Sequence, residues 1–139
     1  GQVRVLRIAG QHDVGRVINP LTTVSQLIGG VTQGLGLGIM EERVVDPPTG
    51  RVVTPNLEDY KIPTVLDIPE IDVTPVDIVD PESNNLGVKG VGEPPIMPPA
   101  PAIANAVYNA TGLRIRHVPI TPRAVLEAIR EARDAGLSV

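Results

Sequence analysis

TVSQLIGGVTQGLGLGIMEE, the stretch from Thr23 to Glu42, decides the fold because it predicts one long helix. The turn signal Asn19-Pro20 precedes it, and Thr22 or Thr23 is expected to cap the helix. A helix of this length would be roughly 30 Å long, about the diameter of a small domain. The other elements are therefore expected to pack along it.

Glycine interrupts this predicted helix at Gly29, Gly30, Gly34, Gly36 and Gly38. Each interior glycine costs about 1 kcal/mol relative to alanine, so tight packing must compensate. Gly30, Gly34 and Gly38 recur every four residues and form one smooth row, the glycine stripe. Either another backbone segment or a flat ligand is expected to approach it. Gln26 and Gln33 lie on nearly one face, where their amides can bind a partner or simply be exposed.

The composition of the 139 residues limits the possible functions. Hydrophobic residues make up 42%, enough for one core, but Tyr60 and Tyr108 are the only aromatic residues, so aliphatic side chains must form that core. The net charge of −4, without a basic cluster, argues against nucleic-acid binding. The chain has no cysteine, which excludes disulfides, cysteine-bound zinc, iron–sulfur clusters and a thiolate nucleophile within it. No apolar run approaches the roughly 18 residues that a membrane span needs.

Outside the long helix, the chain is predicted to alternate short extended segments with two further helices. The extended segments are Val3–Ala9, Val14–Ile18, a hairpin over Val44–Val53, Glu70–Asp80 with an interruption at Pro75, and Leu113–Val118. The further helices are Ala102–Thr111, ending at Gly112, and Arg123–Ala135, begun by Thr121-Pro122.

The order of these elements predicts an α+β fold of two layers, with a mixed sheet, the long glycine-rich helix and two shorter C-terminal helices. Thr54–Pro69 holds three prolines and is predicted to be an irregular loop. Residues 1–139 are expected to form a single domain. The chain lacks an initiator methionine and begins in a predicted strand, so we expect a fragment, a processed subunit or an excised domain.

Two short stretches contain residues that could take part in catalysis or metal binding. His12-Asp13 is a possible catalytic pair or half of a metal site, but no ligand cluster accompanies it, so a strand-end or surface histidine is favoured. Lys89–Pro95 reads KGVGEPP. Its glycines permit close backbone approach and its prolines fix the chain just after Glu93. The stretch is either a device that places one carboxylate or an ordinary tight turn.

Several motifs occur together in a specific order: Asp13–Pro20, Gln26–Gly36, Tyr60–Pro63, Lys89–Pro95, Ala102–Ala106 and Leu113–Pro122. This series resembles the C-terminal part of the molybdenum-binding subunit of the xanthine dehydrogenase/aldehyde oxidase family. The resemblance extends over about residues 3 to 130. It implies a C-terminal molybdenum-cofactor-binding domain, a fragment of a larger catalytic subunit.

The resemblance also implies an activity and the residues that perform it. Enzymes of this family hydroxylate a purine-like N-heterocycle or an aldehyde, with water as the oxygen source. Their cofactor is molybdenum bound to molybdopterin, with a cytosine dinucleotide form as an alternative. Glu93 would be the general base that deprotonates a hydroxyl on the molybdenum. Gln26 would lie against the pterin, and Gly90, Val91 and Gly92 would bring backbone close to the metal.

Partners follow from the same resemblance. An upstream molybdenum-binding segment or subunit would complete the site, and iron–sulfur clusters and FAD would lie on partner domains or subunits. The chain would be inactive alone, and the assembled enzyme would be cytoplasmic. The segment Tyr60–Pro63 is expected near the substrate pocket. The alternative is a non-catalytic structural or assembly module derived from such an enzyme, but the intact motif around Glu93 favours catalysis.

Overall fold

The computed structural model describes residues 1–136, which form six elements, the longest of them a 20-residue helix. In chain order they are β1 (Arg7–Asp13), α1 (Pro20–Ile39), β2 (Glu70–Val76), a 3-10 turn (Pro94–Ile96), α2 (Pro99–Thr111) and α3 (Pro122–Asp134). The α+β class, the long glycine-rich helix and the two shorter C-terminal helices are confirmed. No helix within residues 1–136 has both the length and the apolar character that crossing a membrane requires.

Helix α1 begins three residues earlier than predicted because Asn19, not a threonine, caps it. The Asn19 side chain accepts a hydrogen bond from the Thr22 backbone N–H at 3.2 Å. Pro20 suits the first helical position, since its fixed φ is already helical and no N–H is required there. The prediction of a threonine cap is therefore wrong.

Strands β1 and β2 pair in parallel, with Arg7 opposite Glu70 and Asp13 opposite Val76. The predicted interruption at Pro75 is wrong, because β2 continues through this proline. Each strand has one partner in the described sheet. An edge strand tolerates a residue that cannot donate a ladder hydrogen bond, which explains why Pro75 fits.

Two predicted strands are absent from the described residues. Val14–Ile18 contributes a single antiparallel bridge, from Gly15 to Val88. In Leu113–Val118 the alternation is real, since Leu113 and Ile115 are buried, but it reflects packing into the core rather than strand pairing. The hairpin over Val44–Val53 is confirmed, with one antiparallel bridge at its centre.

The hydrophobic core lies between α1 and the two C-terminal helices. Its buried cluster consists of Leu35, Ile103, Val107, Ile115, Ile120 and Val125. The aliphatic core that the composition predicts is thus confirmed. The Ile120 N–H donates to the Gly38 carbonyl at 2.7 Å and ties the entry of α3 to α1. Thr121 caps α3 as predicted, by accepting from the Ala124 N–H at 3.2 Å.

The glycine stripe is covered by another backbone segment and not by a flat ligand, the two alternatives that the sequence left open. A Cβ on Gly30 would lie 2.5 Å from the Cβ of Pro95, and one on Gly34 would lie 2.5 Å from the Ile96 carbonyl oxygen. At Gly38 it would lie 3.4 Å from the Cα of Ala100. The stripe therefore seats the 3-10 turn and the start of α2 directly on α1. This contact fixes the chain that immediately follows Glu93.

Candidate cofactor-binding and catalytic site

The loop Lys89–Pro95 is anchored at both ends. At its start, the Lys89 N–H donates to the Val14 carbonyl at 2.8 Å, just beyond β1. At its end, Pro95 is fully buried and rests on Gly30 of α1. The residues between these anchors are exposed apart from the half-buried Val91, and they connect the sheet to the long helix.

Gln26 contacts this loop directly. Its side-chain Nε2 donates to the Gly92 carbonyl at 2.8 Å, across 66 positions in the sequence. With the amide nitrogen turned toward the loop, the Oε1 atom is the acceptor that Gln26 can offer to another group. The structure thus brings together Gln26 and Gly92, two of the site residues predicted from the sequence, next to Glu93.

Glu93 is exposed and directly precedes the 3-10 turn. Its backbone carbonyl accepts the Ile96 N–H at 2.9 Å, whereas its side chain does not cap the turn. Within residues 1–136, no hydrogen bond or ion pair engages its carboxylate. The chain therefore holds the backbone of Glu93 while leaving the carboxylate open to groups from outside.

Gly90 and Gly92 leave open space beside the loop. A Cβ added to either would have no heavy atom within 4 Å, and neither glycine has a left-handed backbone. Neither conformation nor packing against residues 1–136 explains their being glycine. An open backbone next to the Gln26 amide fits a flat, polar group that approaches closely. The residues present are therefore suited to one edge of a pterin.

Val91 is half-buried and lies over a cavity of about 230 Å³ on the sheet side of the loop. The lining includes Gln11, His12, Asp13, Val14, Leu27, Gly90, Pro94 and Pro95. This cavity lies between the end of β1 and the part of the loop that follows Lys89. Among the described residues, no group of three or more His, Asp or Glu side chains is arranged to hold a metal ion.

Sequence reasoning missed an ion cluster at the start of the loop, which we name the Lys89 clasp. The Lys89 Nζ lies 2.5 Å from Asp13 Oδ2 and 3.3 Å from Asp80 Oδ2. The hydrogen bond from Lys89 lowers the pKa of Asp13, and the Ser83 hydroxyl followed by Lys89 lowers that of Asp80. No local pattern joins these residues, since Asp13 and Lys89 are 76 positions apart.

The remaining candidates lie elsewhere or have other partners. His12 is half-buried at the penultimate position of β1, so the strand-end prediction is confirmed. The Asp13 carboxylate binds Lys89 and the Gly15 N–H rather than the His12 ring. His117 is exposed in the loop before α3.

The segment Tyr60–Pro63 packs on the C-terminal half of α1. The Tyr60 hydroxyl donates to Glu41 Oε2 at 2.7 Å, and this bond raises the pKa of Tyr60. Pro63 lies against Gly36, about 15 Å along the helix from Gln26 by helix rise. A position of this segment beside the substrate remains a prediction.

Comparison with known proteins extends these observations. Residues 1–69, which include Gln26, match the family described as molybdopterin cofactor-binding domain. The xanthine dehydrogenase molybdenum-binding subunit of Escherichia coli O157:H7 is 44% identical over 126 residues, 91% of this chain and 17% of that protein. The aldehyde oxidoreductase molybdenum-binding subunit of Escherichia coli strain K12 is 43% identical over 129 residues, 93% of this chain and 18% of that protein.

A solved structure agrees with these relatives. The crystal structure of quinoline 2-oxidoreductase from Pseudomonas putida 86 matches with a TM-score of 0.83 and 34% identity, over 92% of this chain and 16% of that one. Fold and site thus define a segment of a molybdopterin-binding protein. The chain belongs to the xanthine dehydrogenase/aldehyde oxidase family of molybdenum-binding subunits. It spans about a sixth of the length of the relatives it matches.

Proposed function

We propose that this chain is the C-terminal catalytic segment of a molybdenum hydroxylase, with residues 1–139 forming one cofactor-binding domain. The enzyme would oxidise an N-heterocycle or an aldehyde with water as the oxygen source. The hydrogen bond from Gln26 to Gly92 carries this proposal, because it puts the predicted pterin contact beside the predicted base. The direct test is turnover of the Glu93→Gln enzyme at unchanged molybdenum content.

Each residue of the site has a distinct role in this proposal. When bound, the molybdenum cofactor supplies the two-electron redox chemistry. Gln26 accepts a hydrogen bond from the pterin edge through Oε1 while its Nε2 holds the loop. Gly90, Val91 and Gly92 let the cofactor approach the backbone. Glu93 accepts a proton at its carboxylate while an oxygen derived from water attacks the substrate carbon.

Gln26→Leu tests the pterin contact. We expect roughly thirtyfold weaker retention of the pterin, because the amide contributes one bond to the cofactor and one to the loop, each worth about 1 kcal/mol. Pterin released from the complete enzyme during dialysis measures this effect. Gln33→Leu is the matched control on the same helix. Equal pterin retention in the two variants would contradict the assignment.

The isolated chain is expected to show no turnover. Glu93 is exposed in it, and the matched relatives are about six times longer. We propose that an upstream molybdenum-binding segment or subunit completes the pocket, with iron–sulfur and flavin partners removing electrons. Assays of the 139-residue chain with a heterocycle or an aldehyde and an artificial electron acceptor test this. Turnover by the cofactor-supplemented chain alone would refute it.

A further inference from the structure

Three separate segments meet at the Lys89 side chain. Asp13 ends β1, Asp80 follows β2, and Lys89 opens the loop that carries Glu93. Lys89 is partly buried, with 34% of its side chain exposed, so its ammonium is less well hydrated than that of a free surface lysine. One cation thus bridges two carboxylates at the point where the loop leaves the sheet.

After Lys89, the loop makes few contacts that could hold it in place. A Cβ at Gly90 or Gly92 would touch nothing, and the Gln26 amide supplies the side-chain hydrogen bond before the prolines. Pro95 fixes the far end on Gly30. The near end is held by the Lys89 backbone N–H on Val14 and by the Lys89 side chain on two carboxylates, so the path of Glu93 depends on both contacts.

We propose that Lys89 is a positioning residue for the catalytic base. The Lys89 clasp would set where the loop begins, and hence where the Glu93 carboxylate lies relative to the cofactor. This inference rests on the proposed function of Glu93. Lys89 touches neither the substrate nor the cofactor in this proposal and acts through the loop.

The negative charges of Asp13 and Asp80 explain why loss of Lys89 would displace the start of the loop. Asp13 also accepts from the Gly15 N–H, and Asp80 from the Ser83 hydroxyl, so each carboxylate is fixed in its own turn beside Lys89. Without the cation between them they would repel, and a misplacement of about 1 Å can cost on the order of 100-fold in rate. Arginine would keep both ion pairs, whereas methionine keeps only the apolar stem.

Arg7 provides a matched control at the other end of β1. Its guanidinium lies 2.5 Å from Asp72 Oδ2 and 3.6 Å from Glu70 Oε1, so it too joins two carboxylates. These contacts link β1 to β2 without touching the loop. Arg7→Met therefore removes a similar ion cluster from the same sheet.

The experiment compares Lys89→Met, Lys89→Arg and Arg7→Met in the complete enzyme. Hydrogen exchange of the Val88 and Lys89 backbone amides, which donate to Asn84 Oδ1 and to the Val14 carbonyl, is measured together with kcat and cofactor content. For Lys89→Met we expect exchange about tenfold faster and kcat about 10–100-fold lower at unchanged cofactor content. Lys89→Arg should restore both to within about threefold of wild type, and Arg7→Met should leave both unchanged.

A double variant separates positioning from general stability. If Lys89 acts through Glu93, adding Lys89→Met to Glu93→Gln should lower residual turnover by less than about threefold, because coupled residues are not additive. Unchanged loop exchange in Lys89→Met, or equally fast exchange in Arg7→Met, would overturn the inference. Wild-type turnover in Glu93→Gln would instead contradict the proposed function, and loop exchange would still report whether Lys89 holds the loop.

Discussion

Glu93→Gln is expected to lower turnover of the assembled enzyme by on the order of 10²–10⁴-fold, the usual contribution of a general base. Glutamine keeps the size of the side chain but cannot accept the proton. Because Glu93 is exposed and caps nothing, the substitution should leave folding unchanged. Steady-state kinetics, combined with molybdenum and pterin analysis of the same preparation, measure the effect.

Two further variants sharpen the Glu93 prediction. Glu93→Asp retains a carboxylate on a side chain that is shorter by one methylene, so we expect a smaller loss of turnover than in Glu93→Gln. Glu82→Gln, an exposed glutamate before the same loop, should have wild-type kinetics. Full turnover of Glu93→Gln at normal molybdenum content would refute the base assignment and favour a structural or assembly role for the chain.

Gly34→Ala is expected to destabilise the contact between α1 and the 3-10 turn by about 1–2 kcal/mol. The added Cβ would lie 2.5 Å from the Ile96 carbonyl oxygen and 2.7 Å from the Pro99 ring, neither of which is the end of a flexible side chain. Overpacking of this kind typically costs about 1–3 kcal/mol, while the better helix propensity of alanine returns up to about 1 kcal/mol. The clash should therefore dominate.

Native-state hydrogen exchange of α1 in the complete subunit measures this change in local stability. Gly29→Ala is the matched control, because the same helix gains the same methyl group where nothing lies within 4 Å. There we expect a stabilisation of up to about 1 kcal/mol. Turnover of Gly34→Ala should also fall, since Ile96 lies three residues after Glu93. Equal protection in the two variants would contradict a packing role for the glycine stripe.

Local sequence signals predicted the helices and failed at several strands. Thr121-Pro122 specified the start of α3, because capping depends on neighbouring residues alone. The alternation in Leu113–Val118 predicted a strand, yet this segment buries Leu113 and Ile115 and pairs with no strand among the described residues. Alternation shows that one side is buried and does not reveal what covers it.

The candidate site shows the same difference between local signals and long-range contacts. Motif order alone pointed to Gln26 and to the loop around Glu93, and the family it indicated is confirmed. The hydrogen bond between Gln26 and Gly92, however, spans 66 positions, and the Lys89 clasp spans 76. No local pattern encodes such distances.

The sequence by itself determined the α+β class, the long helix, its glycine stripe and the family, because periodicity, capping and motif order are properties of neighbouring residues. Only the tertiary structure decided that a backbone segment covers the stripe, that Gln26 holds the loop and that Lys89 joins it to two carboxylates. These contacts arise when distant segments pack together, so they depend on the geometry of the whole fold.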